Sequence, residues 1–113
     1  MFQLSQLRCF VAVATELHFG RAAAMLHMTQ PPLTRQIQLL EHELGVQLLE
    51  RAGGTVRLTP AGTSFLREAE DILRRSQAAM LAARRAMRAD AGTVTLGFIA
   101  AASFALLPQV LGA

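Results

Sequence analysis

Cysteine is almost missing from this sequence, and lysine is missing altogether. The single cysteine, Cys9, excludes an intrachain disulfide and a cysteine metal site. Its place in a helical pattern reads as a small apolar residue rather than a redox sensor. Aromatic residues make up only 5% of the chain, and no run of about 18 apolar residues exists to span a bilayer. The N-terminus lacks the basic-then-apolar order of a secretory signal. A soluble, intracellular (cytoplasmic) protein with no membrane partner is expected. His18, His27 and His42 show no metal-ligand spacing, so neither a metal nor a cofactor is expected. Ser5, Ser64, Ser76 and Ser103 lie in no nucleophile-elbow motif, and Glu41 and Glu43 read as helix-surface carboxylates. Nothing here points to an enzyme.

What is present is apolar and helical in character. Hydrophobic residues supply 52% of the 113 positions, much of it alanine, with few β-branched residues. That balance favours close helix packing. The length leaves room for one compact domain with an appendage, or for part of a larger protein. The net charge is +3, and all eleven basic residues are arginine. A modest positive excess permits a polyanionic partner. The guanidinium fork suits bidentate pairing with phosphate or guanine, although a GC-rich genome produces the same bias.

The chain is organised around Phe19 to Leu44. A short Ala-rich helix is predicted over 20–27, then a joint of Met28, Thr29 and Gln30, then a second helix opened by Pro31 and Pro32. Leu33, Ile37, Leu40 and Leu44 form one apolar face of that helix. Pro31, Thr34, Arg35 and Gln38 fall on the opposite face, with Gln30 just ahead of the first turn. Two helices with a tight joint, the second carrying such a face, describe a DNA-reading helix-turn-helix over about 19–38. The free amides at its N-terminus are suited to a phosphate.

Around this motif the punctuation is clear. Residues 4 to 17 read as a first helix with Leu7, Phe10, Val11, Ala14 and Leu17 as its stripe. Gly20 is taken as the N-cap of the next helix, with Phe19 as a hydrophobic staple. Gly45 is placed to stop the second helix of the motif. Residues 46–51 and 55–58 flank Ala52-Gly53-Gly54 and predict a hairpin, a wing, over about 49–58. Thr59 and Pro60 start a long helix running to about residue 89. At about 1.5 Å per residue its length is roughly 45 Å. Phe65, Ala69, Ile72, Met80, Ala83 and Met87 recur at spacings that line one face, which predicts dimerisation through this helix. Residues 93–99 alternate like a buried strand and Phe104 to Leu111 suggests a helix, the start of an α/β domain. The expected fold is therefore mainly α. It comprises a winged helix-turn-helix (1–59), a dimerisation linker helix (60–89) and the beginning of a second domain (90–113).

These residues together resemble the N-terminal part of a LysR-type transcriptional regulator. The resemblance rests on Phe19-x-Arg21-Ala22-Ala23, on Leu26 and on Gln30-Pro31-Pro32-Leu33-Thr34-Arg35-Gln36-Ile37. Leu40-Glu41, Leu44-Gly45, Leu48-Leu49-x-Arg51 and Leu58-Thr59-x-Ala61-Gly62 continue it. The Gln-Pro-Pro-Leu-Thr-Arg-Gln run looks most like the subgroup controlling aromatic-compound degradation.

The resemblance implies a sequence-specific regulator that binds an interrupted palindrome in double-stranded DNA as a homodimer, or as a tetramer in the full-length protein. It also implies a periplasmic-binding-protein-like effector domain for a small-molecule inducer, here nearly all absent, with Ser103 where that pocket begins. The DNA-facing set is Gln30, Pro31, Pro32, Thr34, Arg35 and Gln38, joined by Arg21, Arg51 and Arg57. Arg21 and Arg51 have structural readings as well, each pairing with a nearby carboxylate or helix end. Gly20 stands where the family usually has Ser or Thr, and Thr34 stands for the commoner Ser. Gly53-Gly54 occupies the wing where relatives often carry an arginine directed at the minor groove, a contact left to Arg57 or Arg51. The alternative reading is a winged helix that binds only protein. An amphipathic membrane-surface helix over 60–89 fits poorly, with Phe65 its single aromatic residue.

Overall fold

The computed structural model describes residues 1–52 and 55–92, with side-chain environments to residue 88. The elements are α1 (Leu4–Glu16), α2 (Phe19–Met25), α3 (Gln30–Leu44), β1 (Leu49–Ala52), β2 (Thr55–Leu58) and α4 (Pro60–Gly92). The Gly53-Gly54 turn, the expected strand and helix of 93–113, and Ser103 lie outside the described residues.

Local chemistry explains most boundaries. The Gln3 N–H donates to the Gln6 side chain at 2.8 Å and opens α1. Leu17, with φ 51°, ends it. The helix α2 begins one residue earlier than expected, because His18 rather than Gly20 is its N-cap. His18 Nδ1 accepts from the Arg21 N–H at 2.9 Å, doing with a ring nitrogen what a hydroxyl does elsewhere. Between α2 and α3 the chain turns through His27 at φ 57°, and the Met28 N–H bonds back to the Ala23 carbonyl. Gly45 ends α3 at φ 73°, in the left-handed region where glycine carries no Cβ penalty.

The first compact unit spans Met1–Arg75. Its core joins Leu7, Phe10 and Val13 of α1, Ala22 and Ala23 of α2, and Leu33, Ile37 and Leu40 of α3. Leu48, Leu49 and Val56 close it from the wing side. Alanines on α2 let the helices approach closely, as the composition suggested. The first half of α4 belongs to the same unit. Phe65 packs edge-on to Phe2, with ring centroids 5.8 Å apart, and tilted against Phe10 at 5.6 Å. Ala69 is 0% exposed, and Ile72 is half-buried against the same core. Part of the expected dimer stripe is thus engaged within its own chain: Ala69 is fully enclosed there, and Phe65 and Ile72 are half-buried. The apolar first turns of α4 cover an opening in the winged helix before any partner is needed.

Residues of α4 beyond Arg75 belong to a second unit. There Met80 is 44% and Met87 71% exposed, and Ala83 is exposed as well. In the first unit, Cys9 is buried, and that burial pushes its thiol above the ordinary range.

Candidate nucleic-acid interface

The interface candidates converge on α3 and the wing. Helix α3 buries Leu33, Ile37 and Leu40 and leaves Gln30, Pro31, Pro32, Arg35 and Gln38 exposed, with Thr34 half-buried between the faces. Thr29 is the N-cap by backbone geometry but makes no side-chain cap hydrogen bond. The two prolines sit among the four positions whose amides lack an intrahelical partner, so this N-terminus has fewer free N–H groups than the expected phosphate site assumes. The exposed side chains of Arg35 and Gln38 make no hydrogen bond or ion pair with other described residues.

The wing is an antiparallel pair in which Leu49 faces Leu58, Glu50 faces Arg57, Arg51 faces Val56 and Ala52 faces Thr55. Leu49 and Val56 turn inward and Arg51 shares their face at its exposed end, while Glu50 and Arg57 lie on the outer face. Two side chains lock the wing to α3. Near the end of α3, Glu41 Oε2 accepts from the N–H groups of Leu48 and Leu49 at 2.8 and 3.1 Å. At its beginning, Arg51 Nη2 donates to Thr34 Oγ1 at 3.3 Å, while the guanidinium lies 3.7 Å above the Phe19 ring. Grooves of about 310 Å³ open on either side of Arg51. One is lined by Thr34, Gln38 and Gln47, the other by His18, Gln30 and Thr55.

The start of α4 is bound to the same corner. Thr59 donates its hydroxyl to the Gln47 carbonyl at 2.6 Å and accepts from the Gly62 N–H at 2.9 Å, so it serves as both brace and N-cap. The Thr59 N–H donates to the Leu48 carbonyl at 2.9 Å. Among the described residues, no group of three His, Cys, Asp or Glu side chains could hold a metal ion. No helix there is long and apolar enough to cross a membrane.

Residues 4–63, the span just described from α1 into α4, match the family "Bacterial regulatory helix-turn-helix protein, lysR family". The chain belongs to the LysR family. It is 48% identical over 102 residues to YnfL of Escherichia coli K12, named an uncharacterized HTH-type transcriptional regulator, and the match covers 90% of this chain and 34% of YnfL. Among solved structures, a CbnR_DBD–DNA complex superimposes with TM-score 0.74 at 43% identity, covering 76% of this chain and 99% of that one. A BenM_DBD complex with benA site 1 DNA gives TM-score 0.73 at 44% identity, covering 76% and 97%. The chain spans about a third of the length of the curated LysR relatives it matches.

Within this LysR chain the expected contact residues fall into two groups. Gln30, Pro31, Pro32, Thr34, Arg35 and Gln38 share α3, and Arg51 meets them from the wing. Arg21 lies apart in its commitments: Nε reaches Glu16 Oε1 at 3.4 Å and Nη2 reaches the Glu16 carbonyl at 3.1 Å. It fastens α2 to the end of α1, the structural option of the two read from the sequence. Arg57 is exposed on β2, opposite Glu50. Sequence reasoning missed Glu41, which sits inside the family motif but reads there as a surface carboxylate. Glu43 does behave as one: it meets the Met1 amine, whose hydrogen bond and charge hold its carboxyl below the ordinary range.

Proposed function

We propose that this chain is the DNA-reading part of a LysR-type transcription regulator, inserting α3 into the major groove of a two-half-site promoter element. The observation that carries this reading is the outer face of α3, where Arg35 and Gln38 stand exposed with no partner among the described residues, on a helix whose other face is buried through Leu33, Ile37 and Leu40. Relatives of the same fold solved on DNA support it. Arg35 suits the O6 and N7 acceptors of guanine, and Gln38 or Gln30 suits the N6/N7 edge of adenine. Pro31 and Pro32 bring the helix start against the backbone, and Arg57 supplies a phosphate contact from the wing.

Two chains pair through the later part of α4, where Met80, Ala83 and Met87 leave a face uncovered. Domain limits of 1–59 and 60–89 describe the reader and the pairing helix, with residues 90–113 leading into an effector domain. In the full-length protein that domain takes a small-molecule inducer, and the dimers assemble as tetramers. The protein belongs in the bacterial cytoplasm, at the DNA.

The test is fluorescence anisotropy on an interrupted-palindrome duplex and a scrambled control across a salt series, with Arg35→Ala alongside. Preferential binding, weakened at least about tenfold by Arg35→Ala, supports the reading. Equal binding to both duplexes, unchanged by the substitution, leaves a protein-interaction module as the better account.

A further inference from the structure

Arg51 joins three elements with one side chain. It extends from β1, sits with its guanidinium carbon 3.7 Å from the ring centre of buried Phe19 at the start of α2, and donates to Thr34 Oγ1 on α3 at 3.3 Å. The ring beneath and the hydroxyl at its tip together fix a guanidinium that would otherwise sample many orientations. The consequence falls on Thr34. A hydroxyl carries one proton and two lone pairs, and a guanidinium has only donors to offer. Toward Arg51, Thr34 can therefore act only as an acceptor. Arg51 is also the one hydrogen-bond partner of the Thr34 side chain among the described residues. Its proton is left for another acceptor, and Thr34 lines a groove that it shares with Gln38.

We infer that Arg51 is a positioning residue for DNA readout that commits Thr34 to the role of hydrogen-bond donor. This inference rests on the DNA-reading function proposed above. Thr34 then selects an acceptor on the duplex: a phosphate oxygen, thymine O4, or guanine O6 or N7. It disfavours the amino hydrogens of adenine and cytosine at the same point. Held in this way, Arg51 does not replace the arginine missing from the wing at Gly53-Gly54. It works through Thr34.

The experiment uses the 113-residue chain to enrich duplexes from a pool with randomised half-sites, then measures affinities and salt slopes on the enriched sequences. Thr34→Val, Thr34→Ser, Arg51→Met and the Arg51→Met/Thr34→Val double variant are compared. Arg51→Gln is run beside Arg51→Met, and the comparison uses whichever of the two melts within a few degrees of the parent. Expected is a loss of about fivefold in discrimination at the same base positions for Thr34→Val and for the Arg51 variant. The double variant should lose no more than either single one, Thr34→Ser should keep the parent preference, and the salt slope of the Arg51 variant should not change. The same non-additivity with uniformly weaker binding and intact base preference assigns the acceptor to a phosphate. Additive losses, or a salt slope lowered by about one in the Arg51 variant, overturn the inference, because Arg51 would then neutralise a phosphate itself. If the parent chain enriches no sequence, the DNA-reading function falls and the inference falls with it.

Discussion

Glu41 sets a single carboxylate oxygen against two consecutive backbone amides, those of Leu48 and Leu49, at 2.8 and 3.1 Å. This joins α3 to the residue that opens the wing, across a connection containing Gly45 at its left-handed turn. The two amides are partly enclosed, and the carboxylate satisfies both of them.

Removing that carboxylate should therefore loosen the wing without touching the outer face of α3. Glu41→Ala is expected to lower stability by about 2 kcal/mol, the size of charge-assisted hydrogen bonds left unmade. Glu41→Gln, which keeps an acceptor oxygen, should lose about half as much. Urea titration followed by far-UV circular dichroism measures both. Equal stability in Glu41→Ala and the parent would show that the clamp contributes nothing.

Gly62 leads to a prediction of unusual sign. In the interior of a helix, alanine ordinarily stabilises relative to glycine by about 1 kcal/mol. At Gly62 an added Cβ would stand 2.0 Å from the Leu48 carbonyl oxygen. That oxygen is held by the Thr59 N–H and cannot swing aside without breaking the bond. Gly62→Ala should destabilise by about 2–3 kcal/mol, read as a lowered thermal midpoint. A raised midpoint would mean that α4 is free to move off the wing.

The two parts of α4 should respond differently to substitution. Ala69→Leu forces extra volume into a closed core and should cost about 1–3 kcal/mol of stability. Met87→Gln, at a position 71% exposed, should change stability by less than about 0.5 kcal/mol while shifting the monomer–dimer balance toward monomer. Thermal melts and sedimentation equilibrium on both variants separate the effects. Dimers unaffected by Met87→Gln would place the pairing surface elsewhere.

Much of this architecture is legible in the sequence wherever one residue type has one local job. Gly45 at a left-handed turn, Thr59 with Pro60 at a helix start, and the Leu33–Ile37–Leu40 face all read directly, because cap chemistry and helical spacing act within a few residues. The N-cap of α2 reads wrongly as Gly20, since cap preferences favour small residues and a histidine ring nitrogen does the same job less often. The first strand starts at Leu49, as expected, and the Gln47 and Leu48 carbonyls just before it are taken by Thr59.

Longer-range relationships are not legible in the same way. Spacing reveals that Phe65, Ala69 and Ile72 share a stripe with Met80 and Met87, but not which surface covers each part of it. The Arg51–Thr34 bond joins residues 17 positions apart, and no periodicity announces it. The residues of the proposed interface were thus found by pattern, while the pairs that aim them required the fold.

The division of labour along α3 bears on how such a protein changes over generations. Leu33, Ile37, Leu40 and Glu41 answer to the core and the wing, so exchange at these sites is penalised through folding. Arg35 and Gln38 make no hydrogen bond or ion pair with other described residues. On the DNA-reading function proposed above, a lineage can replace them, and with them the promoters it answers to, while inheriting the same scaffold unaltered. On that reading, target choice and foldedness are separately heritable traits in this helix.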